Sequence, residues 1–141
     1  MRHTQIGWVF IIIIIPLALF LTFYQPDYQR LQIMWAISII ILLLFFRLTI
    51  SVDDKYVKYS FGIGLIHGKF LIADIESCVA KSYVSLGWGV RYRPGIIVYN
   101  VSGNKAVELI VRSKRNKIWL GTNKPEELAK YINQKIDALS K

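Results

Sequence analysis

Side chains able to act as nucleophiles or as soft metal ligands are scarce in this sequence. It holds two histidines, His3 and His67, and one cysteine, Cys78. Zinc sites need several Cys or His ligands at close and regular spacings, which three widely separated residues do not provide. A single cysteine also excludes an internal disulfide, and Cys78 is predicted to be a buried strand residue. We therefore expect no catalytic residue, no metal, no cofactor and no enzymatic activity.

Three glycines resemble a nucleotide-binding loop without completing one. Gly62 and Gly64 have the required spacing, but the third glycine, Gly68, comes one residue late and His67 occupies its place. A nucleotide-binding loop also leads into a helix whose N-terminus holds the phosphate, and an apolar stretch beginning at Phe70 follows here instead. A glycine-rich hairpin turn is the favoured interpretation.

Four basic side chains crowd a predicted hairpin tip. No acidic residue lies between Glu108 and Glu126, so the tip is strongly positive. Basic residues near an anionic membrane surface each contribute roughly 1 kcal/mol of attraction. The tip is therefore a candidate contact with anionic lipid or with a protein partner, and a solvated turn is the alternative. Its cations are Arg112, Lys114, Arg115 and Lys117.

Trp88 stands between Gly87 and Gly89, with Arg91 and Arg93 just beyond. The glycines permit positive φ, so the indole can fill the edge of a core, which is the favoured interpretation. In the alternative, the indole lies on an exposed loop and meets the membrane interface or a partner together with the two arginines. Trp88, Arg91 and Arg93 are accordingly kept with the tip as candidate contact residues.

The elements that would position these residues differ between the two parts of the chain. Residues 6–23 and 28–46 are almost entirely apolar. A helix of about 18 residues spans ~27 Å, close to the thickness of a hydrocarbon core, about 30 Å. A signal peptide would need small residues at a cleavage site, and the remaining sequence is too short to bury both runs. A two-helix transmembrane hairpin is predicted within residues 1–48.

Basic residues also predict the orientation of this hairpin. Arg2 and Arg47 flank the outer ends of the two helices, whereas Arg30 in the connecting loop is accompanied by Asp27. Because cytoplasmic flanks of membrane helices are enriched in Lys and Arg, both termini and the C-terminal domain are predicted to be cytoplasmic. The expected location is the inner (cytoplasmic) cell membrane, with two spans.

The charge balance indicates which partners are plausible. Residues 47–141 hold 16 basic and 8 acidic side chains, and the whole chain has a net charge of +9. Such an excess suits an anionic partner. Membrane attachment favours anionic lipid over nucleic acid, because the sequence offers no recognition helix and no aromatic stacking platform.

Residues 49–141 have the pattern of a β-domain. Val57, Tyr59 and Phe61 alternate with Lys58 and Ser60, which is the period of a strand with one buried face. The predicted fold is α+β, with a strongly bent antiparallel sheet or barrel behind the helical hairpin. Further strand candidates are 75–81, 95–101, 107–111 and 118–120.

The last predicted element is an amphipathic helix at residues 124–139. Asn123 is predicted to cap it, and Glu126 follows three residues later, as in a capping box. Leu128 and Ile132 lie on one apolar face together with later residues at helical spacing. Such a helix can close an open end of a bent sheet.

Three stretches of the sequence resemble one family. They are residues 87–91, which read Gly-Trp-Gly-Val-Arg; residues 101–109, which hold Val-Ser-Gly followed by Ala-Val-Glu; and residues 121–128, which lead from Gly-Thr into Pro-Glu-Glu-Leu. These resemble the motifs of small, mostly uncharacterised bacterial membrane proteins that carry a pleckstrin-homology (PH)-like domain behind a transmembrane hairpin. Val90 and Leu120 each replace the family's usual isoleucine. The resemblance implies a PH-like domain for residues 49–141 and no particular activity.

These expectations favour a non-enzymatic, membrane-anchored module whose PH-like domain offers an interaction or scaffold surface at the cytoplasmic face. Recognition of anionic phospholipid headgroups through the basic tip is the alternative within the binding class. A subunit of a membrane enzyme complex is the alternative from another class. The identity of a protein partner and the oligomeric state are left open by the sequence.

Overall fold

The computed structural model describes residues 1–24, 26–84 and 88–141 and has an α+β architecture. Within these residues the α-helices are α1 (Trp8–Tyr24), α2 (Tyr28–Phe45) and α3 (Pro125–Leu139), and a short 3-10 helix spans Ile72–Asp74. The strands are β1 (Arg2–Ile6), β2 (Arg47–Val52), β3 (Tyr56–Phe61), β4 (Ile66–Leu71), β5 (Ile75–Ser82), β6 (Gly89–Arg93), β7 (Ile96–Asn100), β8 (Lys105–Val111) and β9 (Lys117–Gly121).

The two N-terminal helices pack side by side as an antiparallel pair. Asp27 caps α2 by accepting a hydrogen bond from the backbone N–H of Gln29 at 3.1 Å. Near the loop, the indole N–H of Trp35 on α2 donates to Thr22 Oγ1 on α1 at 3.1 Å. Among the described residues, α2 is long and apolar enough to cross a membrane, and α1, with 17 residues, is a shorter apolar helix.

Strand β1 was not expected from the sequence, which placed residues 1–48 together as the hairpin. β1 pairs antiparallel with β2, and Ile6 lies opposite Arg47. The backbone N–H of Gly7 then donates to Phe46 O at 2.7 Å, so the pairing continues up to the first residue of α1 and the last of α2. The helical pair therefore interrupts a β-hairpin, and both of its ends join the same sheet.

Two sheets form the β-domain. Sheet A has the order β1-β2-β3-β4, and sheet B has the order β5-β8-β9-β7-β6. All neighbouring strands are antiparallel except β7 and β9, which run parallel. The expectation of purely antiparallel pairing is wrong at this point because β8 forms a hairpin with β9 that returns beside β7. No ladder joins the two sheets within the described residues, so the strands there do not close into a barrel.

The hydrophobic core lies between the two sheets. The inner faces of β2, β3, β8 and β9 supply its fully buried aliphatic and aromatic side chains, among them Leu48, Phe61, Leu109 and Leu120. A cluster of rings fills the space near β4, where Tyr59 stacks on Phe70 and contacts Tyr99. Since the core draws on β2 as well as on sheet B, the N-terminal strands are part of the folded unit.

Helix α3 covers the core on the β5 side. Leu128 and Ile132 are fully buried there, as the helical spacing predicts. The predicted capping role of Asn123 is wrong, because its Oδ1 accepts a hydrogen bond from Gln5 Nε2 at 3.2 Å and no side chain caps α3. Asn123 Oδ1, which the sequence spacing assigned to capping α3, therefore bonds to Gln5 on β1 instead.

Candidate functional site

One end of the β-domain, called here the helix end, is where α1 and α2 leave the sheet. The β3–β4 turn packs directly on the last turn of α2, and Ile63 N–H donates to Leu43 O at 3.2 Å. Gly62 has a positive φ, and a Cβ there would collide with the Leu43 and Leu44 backbone, so only glycine fits. Next to this contact, Ile63 and Leu65 are 57% and 70% exposed. The turn therefore presents apolar side chains beside the apolar helices.

Trp88 lies at the same end. A Cβ on Gly89, the next residue, would come within 3.6 Å of the Phe45 ring at the end of α2. Trp88 is 36% exposed and lines a shallow depression with the exposed Val84. Gly87, the other glycine of the motif, lies outside the described residues. The structure thus places this tryptophan at a partly exposed position near the helices, away from the core.

The β7–β8 turn is tied to the helix end by polar contacts with β1. Gln5 Nε2 donates to Ser102 O at 2.6 Å, and Ser102 Oγ donates to Ile6 O at 2.8 Å. Strand β8 begins three residues later and runs away from this contact. Ala106 lies opposite Gly121, and Val111 is five residues further along. A strand rises about 3.4 Å per residue, so the β8–β9 turn, which follows Val111, lies about 17 Å further from the helix end than Ala106 does.

The predicted basic tip therefore occupies the opposite end of the domain, called here the tip end. Arg112, Lys114 and Arg115 are exposed there. Lys117 differs, because its Nζ lies 3.6 Å from Glu108 Oε1, and the Glu108 side chain is only 8% exposed. Trp119 also donates its indole N–H to Glu108 Oε2 at 2.7 Å. Lys117 is thus held by a buried carboxylate, and within the described part of the chain the other three cations of the tip form no ion pair.

The two arginines that follow Trp88 are separated from it and from each other. Arg93 shares a row across sheet B with Ile96 and Lys117, which places it at the tip end. Arg91, two residues before Arg93 on β6, is half-buried on the outer face of sheet B and is aligned with Trp119 across the sheet. The sequence set is therefore divided. Arg93 joins the basic tip, Arg91 lies midway along the edge strand β6, and Trp88 lies at the helix end.

The described residues offer little reactive chemistry. Burial raises the pKa of the Cys78 thiol to about 12, so the thiolate is disfavoured at neutral pH. His67 Nδ1 lies 2.8 Å from Gly64 O in the β3–β4 turn. Within the described part of the chain, no three His, Cys, Asp or Glu side chains converge where they could hold a metal ion.

A second polar surface, on the outer face of sheet A, was missed by the sequence analysis. An open groove of about 640 Å³ lies there, with cations from three strands along it. The sequence alternation predicted that Lys58 and Ser60 lie on the outer face of β3, which accounts for part of this surface. The remainder comes from Arg2 on β1 and Lys69 on β4, which only the strand pairing brings next to Lys58.

Comparison with protein-family models, curated proteins and solved structures finds no match for this chain.

Proposed function

We propose that this chain is a non-enzymatic, membrane-anchored interaction module. In this proposal α1 and α2 form a transmembrane hairpin, and the β-domain is a PH-like unit that presents its tip end to a partner. The observation that carries the proposal is that apolar and positively charged surfaces lie at opposite ends of the molecule. Exposed apolar side chains lie on the helices and on the adjoining turns, whereas uncompensated cations lie at the opposite end.

The apolar surface of the helical pair supports membrane anchoring. Ile12, Phe20 and Ile33 are among many large apolar side chains that project outward from α1 and α2. Each Å² of apolar surface left in water costs about 25 cal/mol, so a bilayer is the favourable surrounding for such a pair. Helix α1 is about 26 Å long at about 1.5 Å per residue, and Trp8 and Tyr24 at its ends suit the bilayer interfaces. Ile63, Leu65 and Trp88 extend this apolar region onto the domain.

The orientation follows from the same arrangement. Both ends of the hairpin join sheet A, so residues 1–6 and 47–141 lie on one side of any membrane that the hairpin spans. That side carries Arg2 and Arg47, while Arg30, in the first turn of α2 next to the loop, is paired with Asp27 at 3.2 Å. The excess of positive flanking residues supports a cytoplasmic β-domain.

The position of the basic tip favours a protein partner over the anchoring leaflet. The tip lies about 17 Å beyond the level of Gly121, and electrostatic attraction in physiological salt falls off over about 8 Å. Lys114 and Arg115 are therefore too far from the leaflet that holds the helices to gain much from its negative charge. An acidic surface on another protein can approach them freely. Anionic lipid recognition through the tip would require a second membrane surface.

In-cell crosslinking of the full-length protein tests this proposal. We compare the parent with a tip variant, Lys114→Ser/Arg115→Ser, and with a control, Lys81→Ser/Lys105→Ser, which loses the same charge from exposed positions on the opposite half of sheet B. The tip variant should lose a crosslinked protein that the parent and the control retain, with equal amounts of all three proteins in the membrane. Retention of every crosslinked species by the tip variant would contradict the assignment of the tip as the contact surface.

A further inference from the structure

The outer face of sheet A carries two rows of polar side chains across its four strands. The strand register aligns Arg2, Ser51, Lys58 and Lys69 in one row and Thr4, Thr49, Ser60 and His67 in the next. These rows are two residues apart along each strand, so their side chains point to the same face. All of them except Thr4 line the open groove of about 640 Å³. Among the described residues that line it, none is acidic.

Like charges face each other in the first row. Lys58 and Lys69 are directly opposite on β3 and β4, an arrangement that destabilises an antiparallel pair. The Lys58 ammonium is compensated from outside the groove by Asp53, with Nζ and Oδ2 2.5 Å apart. Lys69 lies 4.8 Å from the centre of the Tyr56 ring, and Arg2 is two strands away from Lys58. The sheet thus gathers three cations on one face, and one of them, Lys58, is paired with Asp53.

The second row provides hydrogen-bond donors beneath these cations. Thr49 lies at the floor of the groove, where it is only 7% exposed, and its Oγ1 is 3.4 Å from Thr4 Oγ1. Ser60 of the same row and Ser51 of the first row line the groove beside it. Hydroxyl groups can donate to anionic oxygens, and bonds to charged groups are stronger than neutral ones. Cations and hydroxyls on one concave surface match an anion that has several acceptor oxygens.

We propose that this groove binds a phosphate-bearing anion with more than one negative charge. Three cations and several hydroxyls surround a space that is open on one side, and neighbouring strands are about 4.8 Å apart, so the first row spans about 14 Å. A phosphate offers more acceptor oxygens than a carboxylate, and a row of this length accommodates two such groups. Binding would also relieve the repulsion between Lys58 and Lys69.

The groove begins close to the helices. Thr49 is the third residue of β2, and Arg47 at the start of that strand follows α2 after a single residue. The cation row is level with Ser51, four residues or about 14 Å beyond Arg47, so a phosphorylated lipid headgroup would have to extend from the bilayer surface to reach it, whereas soluble phosphate compounds can reach it directly. The shared chemistry is the phosphate group, and the source is decided by experiment. The site does not depend on the proposed partner of the basic tip.

Calorimetric titration of the full chain with pyrophosphate in neutral-detergent micelles tests the site. The groove variant is Lys58→Gln/Lys69→Gln, and the control is Lys114→Gln/Arg115→Gln, which removes the same charge at the tip end. The parent and the control should bind pyrophosphate, and the groove variant should bind at least about tenfold more weakly, since each charge-assisted hydrogen bond that is lost weakens binding. The thermal midpoint of the groove variant without pyrophosphate should equal or exceed that of the parent, which shows that it folds.

The same titration in nanodiscs identifies the source of the phosphate. If phosphatidic acid added to phosphatidylcholine nanodiscs abolishes pyrophosphate binding, a lipid headgroup occupies the groove. If binding is unchanged, the ligand is soluble. Equal pyrophosphate affinity in the groove variant and the parent, or no binding by the parent in micelles and in neutral nanodiscs, would overturn the proposal. Either result leaves the crosslinking test of the basic tip unaffected.

Discussion

Asn133 shows how a single amide attaches the C-terminal helix to the sheet. Its Nδ2 donates to Cys78 O at 2.7 Å, and its Oδ1 accepts from Cys78 N–H at 3.2 Å. Cys78 lies on β5, an edge strand whose outward backbone groups have no neighbouring strand to pair with. The asparagine thus pairs both backbone groups of Cys78 and covers this point of the edge, which hinders pairing with another chain there.

Replacement of this amide should destabilise the fold. Asn133→Ala leaves both backbone groups of Cys78 without a partner, so the free energy of unfolding should fall by about 1–3 kcal/mol. Thermal unfolding of the full chain in mild detergent, followed by circular dichroism, measures the change. Gln134→Ala, at an exposed position on the same helix, is the matched control and should change stability by less than about 0.5 kcal/mol. Equal effects of the two substitutions would show that the Cys78 contacts contribute nothing.

At the scale of elements, α3 shows most clearly how a sequence pattern leads to a structural role, which here is packing on the core. Its apolar residues recur at helical spacing and face the core between the sheets, while most of its polar residues, apart from Asn133, point outward. On the outer side, Lys135 bonds Asp54 at 2.6 Å, which raises the pKa of the lysine and lowers that of the carboxyl group. Asp54 is exposed and Lys135 is partly exposed, so this ion pair contributes little and the buried stripe accounts for the attachment of the helix.

Truncation of the buried stripe tests this role. Ile132→Ala removes a fully buried side chain and should lower the free energy of unfolding by about 2–5 kcal/mol. Leu139→Ala truncates an exposed aliphatic residue of the same helix and should have little effect. Denaturant unfolding of both variants makes the comparison. An unchanged midpoint for Ile132→Ala would mean that this face of α3 is available to a partner instead.

At the scale of the whole molecule, the helical pair and the β-domain are joined without a linker. Only Gly7 separates β1 from α1, and only Phe46 separates α2 from β2. The Phe45 ring stacks on Phe10 of α1 and meets Phe61 of the core edge-on, so aromatic packing continues from the helices into the domain. Such a joint fixes the direction in which the groove and the basic tip face relative to the helices.

A hairpin replacement follows directly from this joint. Substituting Asn-Gly for residues 8–45 should leave β1 and β2 as an ordinary two-residue β-hairpin, since Gly7 and Phe46 are already paired. The shortened protein should be soluble and fold cooperatively, whereas the parent should stay in the membrane pellet after an alkaline wash. A fragment beginning at Ser51 should not fold, because it lacks β1 and the buried Leu48 and Ile50. Release of the parent by the wash would argue against a membrane span.

The sequence by itself determined the elements whose signals are local. Continuous apolar runs fixed α1 and α2 to within two residues at each end, and three- and four-residue spacing did the same for α3. Period-two alternation located β3, which buries one face against the core, and β8, whose apolar residues Val107, Leu109 and Val111 face the core. These features depend on residues that are close in the chain, so their composition alone specifies them.

Tertiary structure decided what depends on residues far apart in the chain. Strand β1 is short and polar, and it becomes a strand only because β2, more than 40 positions later, supplies its partner. The parallel pairing of β7 with β9, the pairing of Lys117 with Glu108 and the alignment of Arg2 with Lys58 and Lys69 also come from strand register. Register is set by packing across the whole core, which no local pattern records. For that reason the sequence identified the basic tip, and only the fold placed it at the end opposite the helices.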